Sequence, residues 1–142
     1  MAMKAINPDR TVPYHVKWSE MRPRWHEVPQ SEIFGHHRGF YDKLEGTNFS
    51  VHIVILPFGQ SSVPHDSTCE HVILQLDGEV EFSFEGSRYR LQKNDMLFIP
   101  AGIVYGYRNP GEADCRFASV MSGSNSWPPS AKYFPDLRLC GD

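Results

Sequence analysis

Several things are missing from this sequence, and each absence closes off a class of protein. No apolar run approaches the roughly 20 residues that cross a bilayer as a helix. The opening stretch MAMKAINPDR has no apolar core of the kind a signal peptide carries. A cytoplasmic protein that keeps clear of membranes is therefore expected. Neither sign of charge dominates: 14 lysines and arginines face 17 aspartates and glutamates, for a formal net charge of −3. That balance gives no electrostatic reason to bind nucleic acid or an anionic lipid surface. Cysteine is scarce, and Cys69, Cys115 and Cys140 are odd in number with no C-x-x-C spacing. Neither a disulfide framework nor a zinc knuckle is indicated, and reduced thiols are the default. Apolar residues at helical spacing are missing too, so no helix longer than a turn or two is expected.

What is present reads as one domain with two arms. A chain of 142 residues is long enough to bury a real core and short for two. Residues 1–48 are polar and broken by Pro8, Pro13, Pro23 and Pro29, with Trp18 and Trp25 among the charges. They form an N-terminal arm with a few short strands. Residues 49–122 change pattern to short apolar runs, FSVHIVIL, CEHVILQL, EVEFSF, RYRLQ, MLFIPAG, VYGYR and CRFASVM, each closed by Gly, Asn or Pro signals. Evenly spaced short strands of this kind make an all-β sandwich or barrel. Residues 123–142 form a C-terminal tail, in which Trp127, Tyr133 and Phe134 are costly to leave in water. The tail is expected to pack on its own barrel or on a partner.

Alternation indicates which faces are covered. In EVEFSF, Val80, Phe82 and Phe84 alternate with Glu79, Glu81 and Ser83, which predicts one dry face and one wet face. FSVHIVIL and VILQL are apolar on both parities and need a second layer of protein, either the N-terminal arm or a second subunit. A homodimer whose arms build part of the interface is expected on that ground.

The stretch VPHDSTCEHVILQLDGEVEF, residues 63–82, raises the functional question by placing His65 and His71 six apart on strand-like sequence. An unbroken strand would set His65, Ser67, Cys69, His71, Ile73 and Gln75 on one face. The two histidines then read as a metal site, an acid/base pair or two hydrogen-bonded core residues. His52, between Val51 and Ile53, reads as a core histidine. Cys69 reads as a small buried hydrophobe, since no basic neighbour in sequence would lower its pKa. His36 and His37, beside Arg38, read as surface or interface residues.

Gly59, His65, Ser67, His71 and Gly78 follow the spacing G-x5-H-x-H-x3-E-x6-G, and Asn94, Pro100, Gly102, Tyr105 and Asn109 follow G-x5-P-x-G-x2-H-x3-N. On these residues the chain resembles the cupin superfamily, over about residues 48–122. The resemblance implies a cupin-type antiparallel jelly-roll barrel of eight or more strands. Asn94 replaces a glycine, and Asn also tolerates a left-handed turn. The family's ligand set of three histidines and one glutamate becomes His65, Ser67, His71 and Tyr105 here. Ser67 is a poor ligand, His71 keeps a nitrogen donor and Tyr105 could bind as phenolate. Glu70 is one residue off and would point to the other face. The set implied is two histidines and a tyrosine completed by water, open to iron, zinc, manganese or nickel, or to no metal at all. In the metal-free case, His65 or His71 would take a proton and Tyr105 would donate one to a developing enolate oxygen.

The implied function is an isomerase, lyase or cyclase acting on a small, oxygenated, carbonyl-bearing molecule. A metal-dependent dioxygenase and a non-catalytic small-molecule binder are the alternatives. Tyr105 has a further reading as an aromatic that merely fills the cavity.

Overall fold

The computed structural model describes residues 11–13, 15, 17, 39–40, 44–45, 48–66, 68–122, 134 and 136–139. Ser67, Cys140, His36, His37, Trp18, Trp25, Trp127, Tyr133 and most of both arms lie outside the described residues, as does the side chain of His52. Nine strands run through the described residues: β1 (Gly39–Phe40), β2 (Leu44–Glu45), β3 (Phe49–Leu56), β4 (His71–Asp77), β5 (Val80–Phe84), β6 (Ser87–Leu91), β7 (Met96–Ile99), β8 (Tyr105–Arg108) and β9 (Cys115–Ser122). All the pairings between them are antiparallel. The described residues contain no helix, hence none long and apolar enough to cross a membrane. The architecture is an all-β jelly-roll.

Two sheets face each other. The larger runs in the order β1-β3-β9-β4-β7, with β2 also on β3, and the smaller runs β6-β5-β8. Residues 57–66 extend the smaller sheet beyond β8, since the backbones of His65 and Tyr105 exchange two hydrogen bonds of 2.8 Å and Ser61 bridges Arg108. Period-2 alternation turns Val54, Leu56, Ile73, Ile99 and Phe117 of the larger sheet toward Val80, Phe82, Phe84 and Tyr107 of the smaller. Together they form one buried core. Burying each such aliphatic or aromatic side chain contributes about 1.5–3 kcal/mol.

Turns set the register. Gly78 closes the β4–β5 hairpin at φ +69°, and a Cβ there would lie 3.0 Å from the Cβ of Cys115. Only glycine fits that approach. Asn94, in the family's glycine position, holds φ +75° in the turn before β7. At the end of the barrel away from the histidines, the Asn109 amide donates to the carbonyls of Leu56 (3.0 Å) and Ala113 (2.7 Å) and accepts from the amide of Gly111 (2.9 Å). Asn109 therefore acts as a staple between β3 and the β8–β9 loop.

Two expectations from alternation do not hold. The segment 63–82 is not one strand: β4 starts at His71, with a bend at residues 68 and 69, so His65 joins the smaller sheet and His71 the larger. The expected wet face of β5 is also covered, with Glu81 and Ser83 buried alongside Phe82. Register sets Glu81 between Arg90 and Arg108, and the Arg108 guanidinium donates to its carboxylate at 2.9 Å. Close by, Gly106 is paired with Ser83 and packed against buried Leu139 from the tail. The tail meets the barrel again where the Phe134 amide donates to the Pro64 carbonyl at 2.8 Å.

Candidate active site

Three elements deliver the candidate residues to one end of the barrel. His71 opens β4 on the inward parity of the larger sheet, paired with Ile99 and Met121. Tyr105 opens β8 on the inward face of the smaller sheet, paired with Phe84. His65 pairs with Tyr105 on its free side. The two histidines thus meet across the barrel instead of along one strand. All three are about 95% buried.

The contacts are specific. The Tyr105 hydroxyl lies 3.3 Å from His71 Nδ1. The His65 ring sits 4.5 Å from the Tyr105 ring, centroid to centroid, and the His71 ring sits 6.0 Å from it, edge to face. Phe82 and Phe84 back the tyrosine at 6.1 and 6.2 Å. His65 Nδ1 is 2.7 Å from the Val63 carbonyl. A carbonyl only accepts, so Nδ1 carries the hydrogen and Nε2 carries the lone pair. The His71 Nε2 atom is sealed from solvent and has no hydrogen-bond partner. Buried polar atoms are normally paired, so this nitrogen is an exception within the core.

Burial dominates the electrostatics. It pushes the His65 imidazolium down, against smaller opposing effects of the Val63 carbonyl and Asp66. It lowers His71 to about 4, with the nearby His65 adding to the shift. Both rings are therefore neutral near pH 7 and keep a nitrogen lone pair, which suits a base or a metal ligand. Among the described residues, no group of three or more His, Cys, Asp or Glu is placed to hold a metal ion. The donor set here is two imidazoles and the Tyr105 phenol. It fits a divalent transition ion, since the orphaned Nε2 of His71 and the oriented ring of His65 are both imidazole donors.

Cys69 is buried, in keeping with a small hydrophobe. Cys115 is buried as well, and burial pushes its thiol up to about 12, so it supplies no nucleophile. One polar residue on the same inner face escapes motif reasoning. Ser50, on β3, has a fully buried hydroxyl with no partner and shares the row Ser50–Met121–His71–Ile99 across the inner face. The only sequence signal was a serine on the inward parity of FSVHIVIL.

Residues 52–121 match the family model of the cupin domain. No curated protein matches the chain. Among solved structures, the fold is similar to a conserved double-stranded beta-helix domain protein from Klebsiella pneumoniae subsp. pneumoniae, with 20% identity and a TM-score of 0.66 over 95% of this chain and 99% of that one. It is similar to the polyketide cyclase RemF from Streptomyces resistomycificus, with 18% identity and a TM-score of 0.66 over 86% of this chain and 85% of that one. It is also similar to Peruvianin-I, a cysteine peptidase from Thevetia peruviana latex, with 18% identity and a TM-score of 0.56 over 62% of this chain. In that last case the match spans only 56% of the other protein's length. The motif spacing, the two-sheet barrel with its site at one end, and the match over residues 52–121 agree, and the chain belongs to the cupin superfamily.

Proposed function

We propose that this protein is an enzyme that moves protons on a small, oxygenated, carbonyl-bearing molecule, as an isomerase, lyase or cyclase does. The observation that carries the reading is the sealed, partnerless Nε2 of His71 on a ring whose other nitrogen lies 3.3 Å from the Tyr105 hydroxyl. Acid and base are thereby joined through one imidazole.

The chemistry follows from that pair. His71 Nε2 takes the proton from the carbon next to the carbonyl, and the released electron pair forms the carbon–carbon double bond of an enol. The carbonyl π pair moves to oxygen, which receives the Tyr105 proton. The imidazolium then returns its Nδ1 proton to the phenolate along the 3.3 Å contact, leaving both groups neutral. Net, one proton has moved from carbon to oxygen. A ring with a pKa of about 4 is a weak base alone, but the negative charge that develops beside it favours the imidazolium during transfer. Phe82 and Phe84 pack against the Tyr105 ring and hold the phenol in place. Where a divalent ion is bound, His65, His71 and Tyr105 would hold it, and it would supply Lewis-acid polarisation of the carbonyl. The RemF likeness supports the reading only as far as fold goes.

The test is deuterium uptake at the α-carbon of small neutral ketones in heavy water, followed by proton NMR. Exchange above the buffer rate in wild type, absent in His71→Ala, is expected. Buffer-rate exchange across hydroxyketones and simple ketones alike would remove proton transfer as the function.

A further inference from the structure

We propose that Ser50 is an oxygen-binding residue of this site, so that its ligand carries two oxygen functions, a carbonyl met at Tyr105 and a second oxygen met at Ser50, with His71 facing the carbon between them. The inference rests on the site proposed above and narrows its substrate class to hydroxyketones and their relatives.

The register carries it. β3 and β4 both pair with β9, and Ser50 and His71 both pair with Met121, so the two residues stand in one row on the inner face with one residue between them. At a strand spacing of about 4.8 Å, their backbones are about 10 Å apart and their side chains reach into the same end of the barrel. Each bears a polar atom that is sealed from water and has no partner among the described residues. A buried serine hydroxyl normally finds a carbonyl or a neighbouring side chain. Two such atoms in one row, with the apolar Met121 between them, suit a ligand that sets its reacting carbon at His71 and a second oxygen at Ser50. Ser50 has no role in the proton transfer itself. It is a positioning residue, fixing which carbon of a two-oxygen molecule lies under His71.

A further consequence concerns stability. A hydroxyl kept without a partner is a cost to the folded state, so replacing it with a methyl group stabilises the free protein while weakening ligand binding. A serine with a structural hydrogen bond would behave in the opposite way.

The experiment titrates the full-length protein with 4-hydroxybutan-2-one and with butan-2-one, reading the His71 ring signals by NMR, and measures thermal unfolding without ligand. Wild type is expected to bind the hydroxyketone about tenfold more tightly than the simple ketone. Ser50→Ala should erase that preference and raise the midpoint by a few degrees. Equal affinities in wild type, a preference that survives Ser50→Ala, or a lowered midpoint in the variant would each overturn the assignment. Hydroxyketone preference without exchange catalysis would count against the reaction and in favour of the two-oxygen site. Exchange catalysis without the preference would count against Ser50 alone.

Discussion

The two faces of the larger sheet depart from the usual distribution in opposite senses. Toward the barrel, Ser50 and His71 bury polar atoms that have no partner among the described residues. Toward the outside, Phe98 and Met96 of β7, Val72 of β4 and Phe49 of β3 stand in the open, with Met96 70% and Phe98 55% exposed. Register makes the outer residues contiguous, since Phe98 pairs with Val72, Val72 with Val120 and Val120 with Val51. The outer stripe is apolar area that the described residues leave exposed, and we propose that a second copy of the chain covers it. Three strands of seven or eight residues and the four-residue β7, about 4.8 Å apart and at about 3.3 Å per residue, give a footprint of roughly 400 Å² before side-chain relief, about half of the ~800 Å² accessible area per partner of a standard interface.

The inner face can be broken most severely at its histidines. Exchanging both His65 and His71 for Ala should remove whatever divalent ion the protein carries and all exchange activity, since one phenol cannot hold an ion alone. Elemental analysis of protein purified without chelator or metal-binding tag decides this, and an unchanged ion content would move the site elsewhere.

Next in size is the pH response of chelator-treated protein. His71 in the folded state sits near 4, below its ordinary 6.5, so between those values the unfolded chain takes up the proton more readily. Its contribution to stability is fully present above about pH 6.5 and is lost as the pH falls toward 4, to an extent on the order of 3 kcal/mol. Urea midpoints across that range should fall in wild type and fall less in His71→Gln. Parallel curves would mean that His71 titrates normally.

Tyr105→Phe sharpens the comparison further, because it removes one hydroxyl and leaves the aromatic packing. Exchange should slow by roughly a hundredfold with ligand affinity nearly unchanged, the usual size of an acid/base contribution. Wild-type rates would reduce Tyr105 to a cavity filler. The smallest effect on stability belongs to the outer face, where Phe98→Glu should change unfolding by no more than about 0.5 kcal/mol, as exposed substitutions do. It should nevertheless convert a dimer at tens of micromolar to monomer in sedimentation. A wild type that is already monomeric would show that the outer face has a different cover, such as the chain's own residues 1–38.

Much of the fold was legible because its signals are local. The apolar runs FSVHIVIL, CEHVILQL, EVEFSF and CRFASVM reappear, within two residues at their ends, as β3, β4, β5 and β9. Asn94 takes the left-handed conformation that its place in the motif requires. The candidate trio was legible too, but the way it assembles was not. The strand expected to carry both histidines breaks before β4, which sends His65 to the opposite sheet. Nothing in the alternation of EVEFSF shows that Glu81 would be covered, because its cover includes an arginine 27 residues away in sequence.

The sequence by itself determined where the chain turns, which residues alternate inward, and that His65, His71 and Tyr105 belong to one motif set. Steric preference at Gly78 and Asn94 and the two-residue period of a strand act over a few residues and need no partner. Only the tertiary structure decided that His71 Nδ1 meets the Tyr105 hydroxyl, that Nε2 is left without a partner, and that Ser50 shares its row. Those facts depend on pairing strands far apart in sequence, Ser50 with Met121 and Met121 with His71. Such register is set by the packing of the whole barrel.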